Sequence, residues 1–154
     1  TLNHLYERFI ERQMEHRARR EEQMVKEIRT LFSEAAIRNF RDDTLTGELT
    51  KLHLPLVHRN KEIAAIKPLA FDQAEPSAIL DHCEQWVIRL ARAESEGILK
   101  LENVLIPVTA PYSEQTLSQR KAVDAARKII LKNRLPMVEF EQTGKITAFA
   151  QQFS

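Results

Sequence analysis

The run KEIAAIKPLAF, Lys61 to Phe71, decides how this chain is read. Ile63, Ala65, Leu69 and Phe71 alternate with Ala64, Ile66 and Ala70, so both sides of an extended segment are apolar. A strand with two apolar sides is buried on both, which places it centrally in its sheet. Lys67 interrupts the pattern, and a lysine there needs a physical reason. Two stand open. In the first, its stem lies along apolar neighbours while the ammonium reaches solvent at the sheet end, with Pro68 marking an irregular place. In the second, the ammonium belongs to a functional site.

Upstream, Leu49 to His58 is another extended candidate, and Arg59, Asn60 and Lys61 join the two as an antiparallel hairpin. Pro55 favours an edge or bulged position for the first strand. The segment RDDTLTGE, Arg41 to Glu48, reads as a turn by its Asp, Thr and Gly content. It marks a boundary between an N-terminal helical arm, residues 1–40, and an α/β core, residues 41–154. The arm contains no Gly or Pro, and Leu2, Leu5, Tyr6 and Phe9, then Met24, Ile28, Leu31 and Ala35, recur at helical spacing. Between them EHRARREEQ, Glu15 to Gln23, offers no apolar face and reads as solvated or as lying against another charged surface. Leu2, Leu5, Phe9 and Ile10 form a sticky stripe, suited to self-association or a partner protein, or to packing on the chain's own core.

Downstream, Pro76 and Ser77 open a helix whose apolar stripe is Ile79, Cys83, Trp86, Val87, Leu90 and Ala91, closed by Gly97. Val104 to Val108 reads as a short buried strand, Glu114 to Asn133 as a helix, Met137 to Glu141 as a strand and Lys145 to Phe153 as a closing helix. The expected fold is α/β (α+β), a mixed sheet of about four strands flanked by helices, with at least one parallel crossover.

Composition sets the outer limits. At 154 residues and 43% hydrophobic content, the chain is long enough to bury a core without staples. Cys83 is the sole cysteine, which excludes an internal disulfide and a multi-cysteine metal site and fits a reducing compartment, so the expected location is cytoplasmic. No stretch approaches the roughly 18 apolar residues of a membrane span, so no membrane partner is expected. The chain starts at Thr1 rather than methionine, which reads as a processed product or as a regulatory or structural fragment of a longer chain. Residues 1–50 carry nine Lys/Arg against ten Asp/Glu, and residues 51–154 carry fourteen against twelve. Bulk charge therefore does not point to nucleic acid.

The order helix, hairpin strands, helix, strand, helix, strand, together with Lys67, resembles the core of the PD-(D/E)XK, or restriction-endonuclease-like, superfamily over roughly residues 30–141. The resemblance implies an aspartate on one strand and an acid-x-lysine on the next, holding Mg²⁺ that activates water and stabilises the departing oxygen. The triplet here is Ala65-Ile66-Lys67, which lacks the acid. Family members sometimes move that acid to the following helix, where Asp81 and Glu84 stand, and Asp43 or Glu48 would supply the strand-side carboxylate. The resemblance thus implies a noncatalytic or degenerate nuclease-like domain without a cofactor, acting by DNA binding or protein assembly. The alternative is a Mg²⁺-dependent nuclease using Lys67 with those acids.

Further constellations are weaker. Arg120, Lys121, Arg127, Lys128 and Arg134, at or beyond the helix Glu114 to Asn133, outnumber Glu114 and Asp124, and the seven-residue spacing of the arginines suits DNA phosphates if the helix extends that far. An ordinary solvated face opposite Ala122, Ala126, Ile129 and Ile130 is the alternative, although Leu117 and Leu131 fall among its charges. His53 and His58 point to opposite faces of a regular strand unless Pro55 introduces a bulge. His82 and Cys83 diverge by about 100° on a helix and do not chelate, and Cys83 reads as an inert buried thiol.

Overall fold

The computed structural model describes residues 2–153, with side chains from Ala18 onward. It is an α/β fold, a mixed six-stranded sheet between helical layers. In chain order the elements are α1 (Leu2–Glu34), β1 (Arg41–Thr46), β2 (Lys51–Arg59), β3 (Ile63–Ile66), β4 (Leu69–Ala70), α2 (Pro76–Ser95), β5 (Val104–Thr109), α3 (Leu117–Lys132), β6 (Met137–Glu139) and α4 (Thr143–Gln151). β1, β2 and β3 form an antiparallel meander, and β5 then runs parallel to β3, β4 and β6. Ala65 and Ile66 face Val104 and Leu105, while Leu69 and Ala70 face Val108 and Thr109. That constant offset makes β3 and β4 one line of chain, interrupted at Lys67 and Pro68. The β3 half of the two-sided apolar run is central, between β2 and β5, whereas its β4 half pairs with β5 alone.

Period-two alternation divides the core. Leu52, Leu54, Val57, Ala65, Leu69 and Phe71 meet α2 and α3 on one sheet face, and Leu56, Ile66, Ala70 and Leu105 meet α1 and α4 on the other. Met24, Val25, Ile28 and Phe32 of α1 are buried there, so the second half of that helix is a wall of the core rather than an arm. The side chains of Leu2, Leu5, Phe9 and Ile10 lie outside the described residues. Among the described residues no helix is long and apolar enough to cross a membrane.

The expectation of about four strands misses β1, which occupies the segment read as a turn. Arg41 to Thr46 is polar, but Leu45 is buried against the first core and cross-strand contacts complete the strand: Thr44 Oγ1 with His53 Nδ1 at 3.1 Å, and Arg59 with Asp43. β2 therefore has a neighbour on each side and is no edge. Pro55 sits instead at the irregularity where Leu54 faces Asp43 and Val57 faces Arg41. This bulge changes the alternation, so that His53 and His58 both look toward the α1 side. They remain about 16 Å apart along the strand, and His58 is buried against Phe40.

The pairing of β2 with β3 runs from Arg59↔Ile63 to Leu56↔Ile66; past that point β4 has β5 alone as a partner. A notch opens in the sheet. Lys67 and Phe71 donate their N–H groups to Leu105 and Thr109 carbonyls of β5 at 3.0 and 2.9 Å, so Pro68 and Ala70 face the notch by alternation. Pro68 has no N–H to strand there. The polar backbone groups of Ala70 need partners, and side chains supply them.

Candidate functional site

Glu21 on α1 fills the notch. Its Oε2 accepts the Ala70 N–H at 3.0 Å and lies 2.8 Å from His82 Nε2 of α2, and its Oε1 lies 3.5 Å from Lys67 Nζ. Gln73 Nε2 donates to the Ala70 carbonyl at 3.2 Å. α1 and α2 cover opposite sheet faces, so one carboxylate reaches through the notch and joins both layers to the interrupted strand. Lys67 also lies 4.5 Å from the centroid of the Trp86 ring, with Arg89 at 5.1 Å from the same ring.

Glu21, Lys67 and His82 are all buried, at 8%, 8% and 4% exposure, so of the two readings open for Lys67 the ammonium reaching solvent at the sheet end is not the one seen. Burial pushes the Glu21 carboxyl up. The His82 hydrogen bond, the charges of Lys67 and His82 and the Ala70 N–H together outweigh it and hold the group below its ordinary value. A carboxylate so fixed in its ionised form is a poor proton acceptor, and the geometry is that of a charge-centred staple.

The remaining candidates disperse. Asp43 faces Arg59, which with the Thr44 N–H holds its carboxyl below the ordinary range. Glu48 is exposed in the β1–β2 turn, and Asp81 and Glu84 lie on the solvent side of α2, turned away from His82. Cys83 is buried, and burial, aided by Glu84, pushes its thiol up to about 12. A carboxylate does reach Lys67, from the charged segment Glu15 to Gln23, whose Glu21 lies against Lys67 and His82 rather than in solvent. Its signal was phase: Glu21, Met24, Val25, Ile28 and Phe32 share one helical stripe.

Beside the staple lies a cleft of about 420 Å³ between α1, the β1–β2 pair and α2. Val25, Pro55 and Trp86 give it apolar walls, while Glu22 and Asp42 oppose Lys26 and Arg29. The charges nearly balance. Asp42 Oδ2 lies 3.0 Å from His53 Nε2 at the exposed mouth. The donors near Lys67 do not fit Mg²⁺, which needs several oxygens in near-octahedral array. Ala65 and, across the pair on β2, Val57 carry no side-chain oxygen, and those of Glu21 are engaged by Lys67, His82 and Ala70. Among the described residues no three His, Cys, Asp or Glu side chains converge on a cation position.

The basic helix is shorter than expected. Thr116 and Gln119 form a reciprocal capping box that starts α3 at Leu117. The helix ends at Lys132, and Arg134 adopts a left-handed conformation, φ 63°, beyond it. Arg127 turns inward, 2.9 Å from Glu139 Oε1 and 4.8 Å from the Tyr112 ring centroid. The arginine series 120, 127 and 134 therefore forms no line of phosphate contacts. Arg120, Lys121, Lys128 and Lys132 remain exposed. No family model, curated protein or solved structure matches the chain.

Proposed function

We propose that this chain is a noncatalytic binding domain on a nuclease-like core. The order of α1, the β1–β2–β3 meander, α2 and β5 supports the nuclease-like reading, with Lys67 directly after β3. The observation that carries the noncatalytic reading is the setting of that lysine. Its acid position is Ala65, and Glu21 meets it as part of a buried network that ties backbone and two helices together.

The test is cleavage of single- and double-stranded DNA and of RNA with Mg²⁺ or Mn²⁺, beside a Lys67→Ala control. The expected result is no cleavage above the control. Metal-stimulated cleavage that disappears in a folded Lys67→Ala protein overturns the proposal and restores the nuclease reading.

DNA is a second reading of the target, favoured by the exposed Arg120, Lys121 and Lys128. It requires affinity that falls steeply with salt and weakens when these three are neutralised; undetectable binding at low salt removes it.

A further inference from the structure

Large exposed hydrophobic side chains among the described residues are Leu49, Ile88, Leu117 and Leu131, and all but Leu49 lie on the outer surface of the α2/α3 layer. Single exposed leucines need no explanation. The pair on α3 is different. At about 100° and 1.5 Å per residue, Leu131 is turned about 40° from Leu117 and lies about 21 Å along the axis. They mark the two ends of one helix face, 61% and 57% exposed.

Arg120, Lys121 and Lys128 lie on that face, all exposed, with Lys132 at its edge. Its acid, Asp124, is drawn to Arg127 at 3.5 Å. Among the described residues no ion pair forms to Arg120, Lys121, Lys128 or Lys132. The result is a face with a leucine at each end and, on or beside it, four cations against the single acid Asp124.

A phosphate backbone would use the cations and leave both leucines in water. A polypeptide helix with an apolar stripe flanked by carboxylates would use both. We propose that the outer face of α3 docks an acidic amphipathic helix, with apolar residues over Leu117 and Leu131 and carboxylates toward Arg120, Lys121 and Lys128. The inference rests on the reading of the chain as a binding domain and names its partner class.

The experiment is an amide NMR titration of the whole chain. The probes are a designed monomeric helical peptide of about five turns with leucines on one face and flanking glutamates, the same peptide with lysines for glutamates, and DNA oligonucleotides. The expected result is shifts along residues 117–132 with the glutamate peptide alone. Affinity should fall about tenfold or more in Leu117→Ser/Leu131→Ser, and Lys121→Glu/Lys128→Glu should transfer the preference to the lysine peptide. All four positions are exposed, so folding should persist. DNA shifting α3 while the glutamate peptide does not overturns the docking inference and leaves the binding reading intact. No response of α3 to any probe also overturns it, whereas metal-dependent cleavage in the assay above removes the binding reading itself.

Discussion

Lys67 and the lysines of α3 carry the same charge in opposite settings. Lys67 is buried in the sheet notch beside Glu21 and Trp86, while Lys121 and Lys128 stand in water. A buried charge persists only where geometry supplies its partners, so its surroundings are specified and its removal is costly. An exposed charge is specified by nothing nearby and remains available to a partner. In this molecule Lys67 is held by a buried network, whereas Lys121 and Lys128 stay exposed on the outer face of α3.

The largest effect should come from the staple. Glu21→Ala leaves Lys67 without its carboxylate and the Ala70 N–H without an acceptor, so urea denaturation should show a loss of about 3–5 kcal/mol. A loss below about 1 kcal/mol, typical of surface pairs, would erase the distinction between the two settings. Adding Lys67→Met should recover part of the loss, because a buried cation that has lost the Glu21 carboxylate is then gone. A double variant as unstable as the sum of its singles would show that the two side chains do not act as a pair.

Acid should discriminate the settings next. The folded carboxyl of Glu21 sits below its unfolded value, so the ionised form is the one the fold favours. Its stabilisation is complete above the ordinary carboxylate value of about 4.3 and drains away as pH falls through the folded value. Stability of the unaltered chain should therefore fall more steeply with acid below about pH 5 than that of Glu21→Gln. Asp43 and Glu96, also held low by Arg59 and by the Leu49 N–H respectively, titrate in both proteins and cancel in the difference. Parallel curves would mean that Glu21 contributes no such dependence.

The central position of β3 was legible because Ile63 to Ile66 is apolar on both sides, a pattern that needs no knowledge of its neighbours. β1 was not, because Arg41, Asp42 and Asp43 favour strands poorly and become one through Arg59 and His53 of β2. Glu21 was half legible. Its phase on α1 matched Met24, Val25 and Ile28, but the surrounding charges of Glu15 to Gln23 concealed one residue that faces inward. The notch was not legible at all, since it arises from where β2 stops pairing with β3, and that depends on register. Pro68 marked the place without naming Ala70 or Glu21 as the groups that complete it.

The smallest effect tests the comparison within α3, between sequence neighbours. Arg127 has a side chain 18% exposed, hydrogen bonds from Nη2 to Glu139 Oε2 at 3.1 Å and from Nη1 to Asp124 Oδ1 at 3.5 Å, and the Tyr112 ring beneath its guanidinium. Lys128 is exposed. Arg127→Ala should cost about 1 kcal/mol, through the ion pair and the packing of its stem, and Lys128→Ala should stay within about 0.5 kcal/mol. Binding of the glutamate peptide should rank them the other way, with Lys128→Ala the more damaging, because Arg127 is committed to Glu139 before any partner arrives. If Arg127→Ala weakens the peptide more than Lys128→Ala does, the arginine leaves Glu139 for the partner, and the division between structural and available cations fails on this helix.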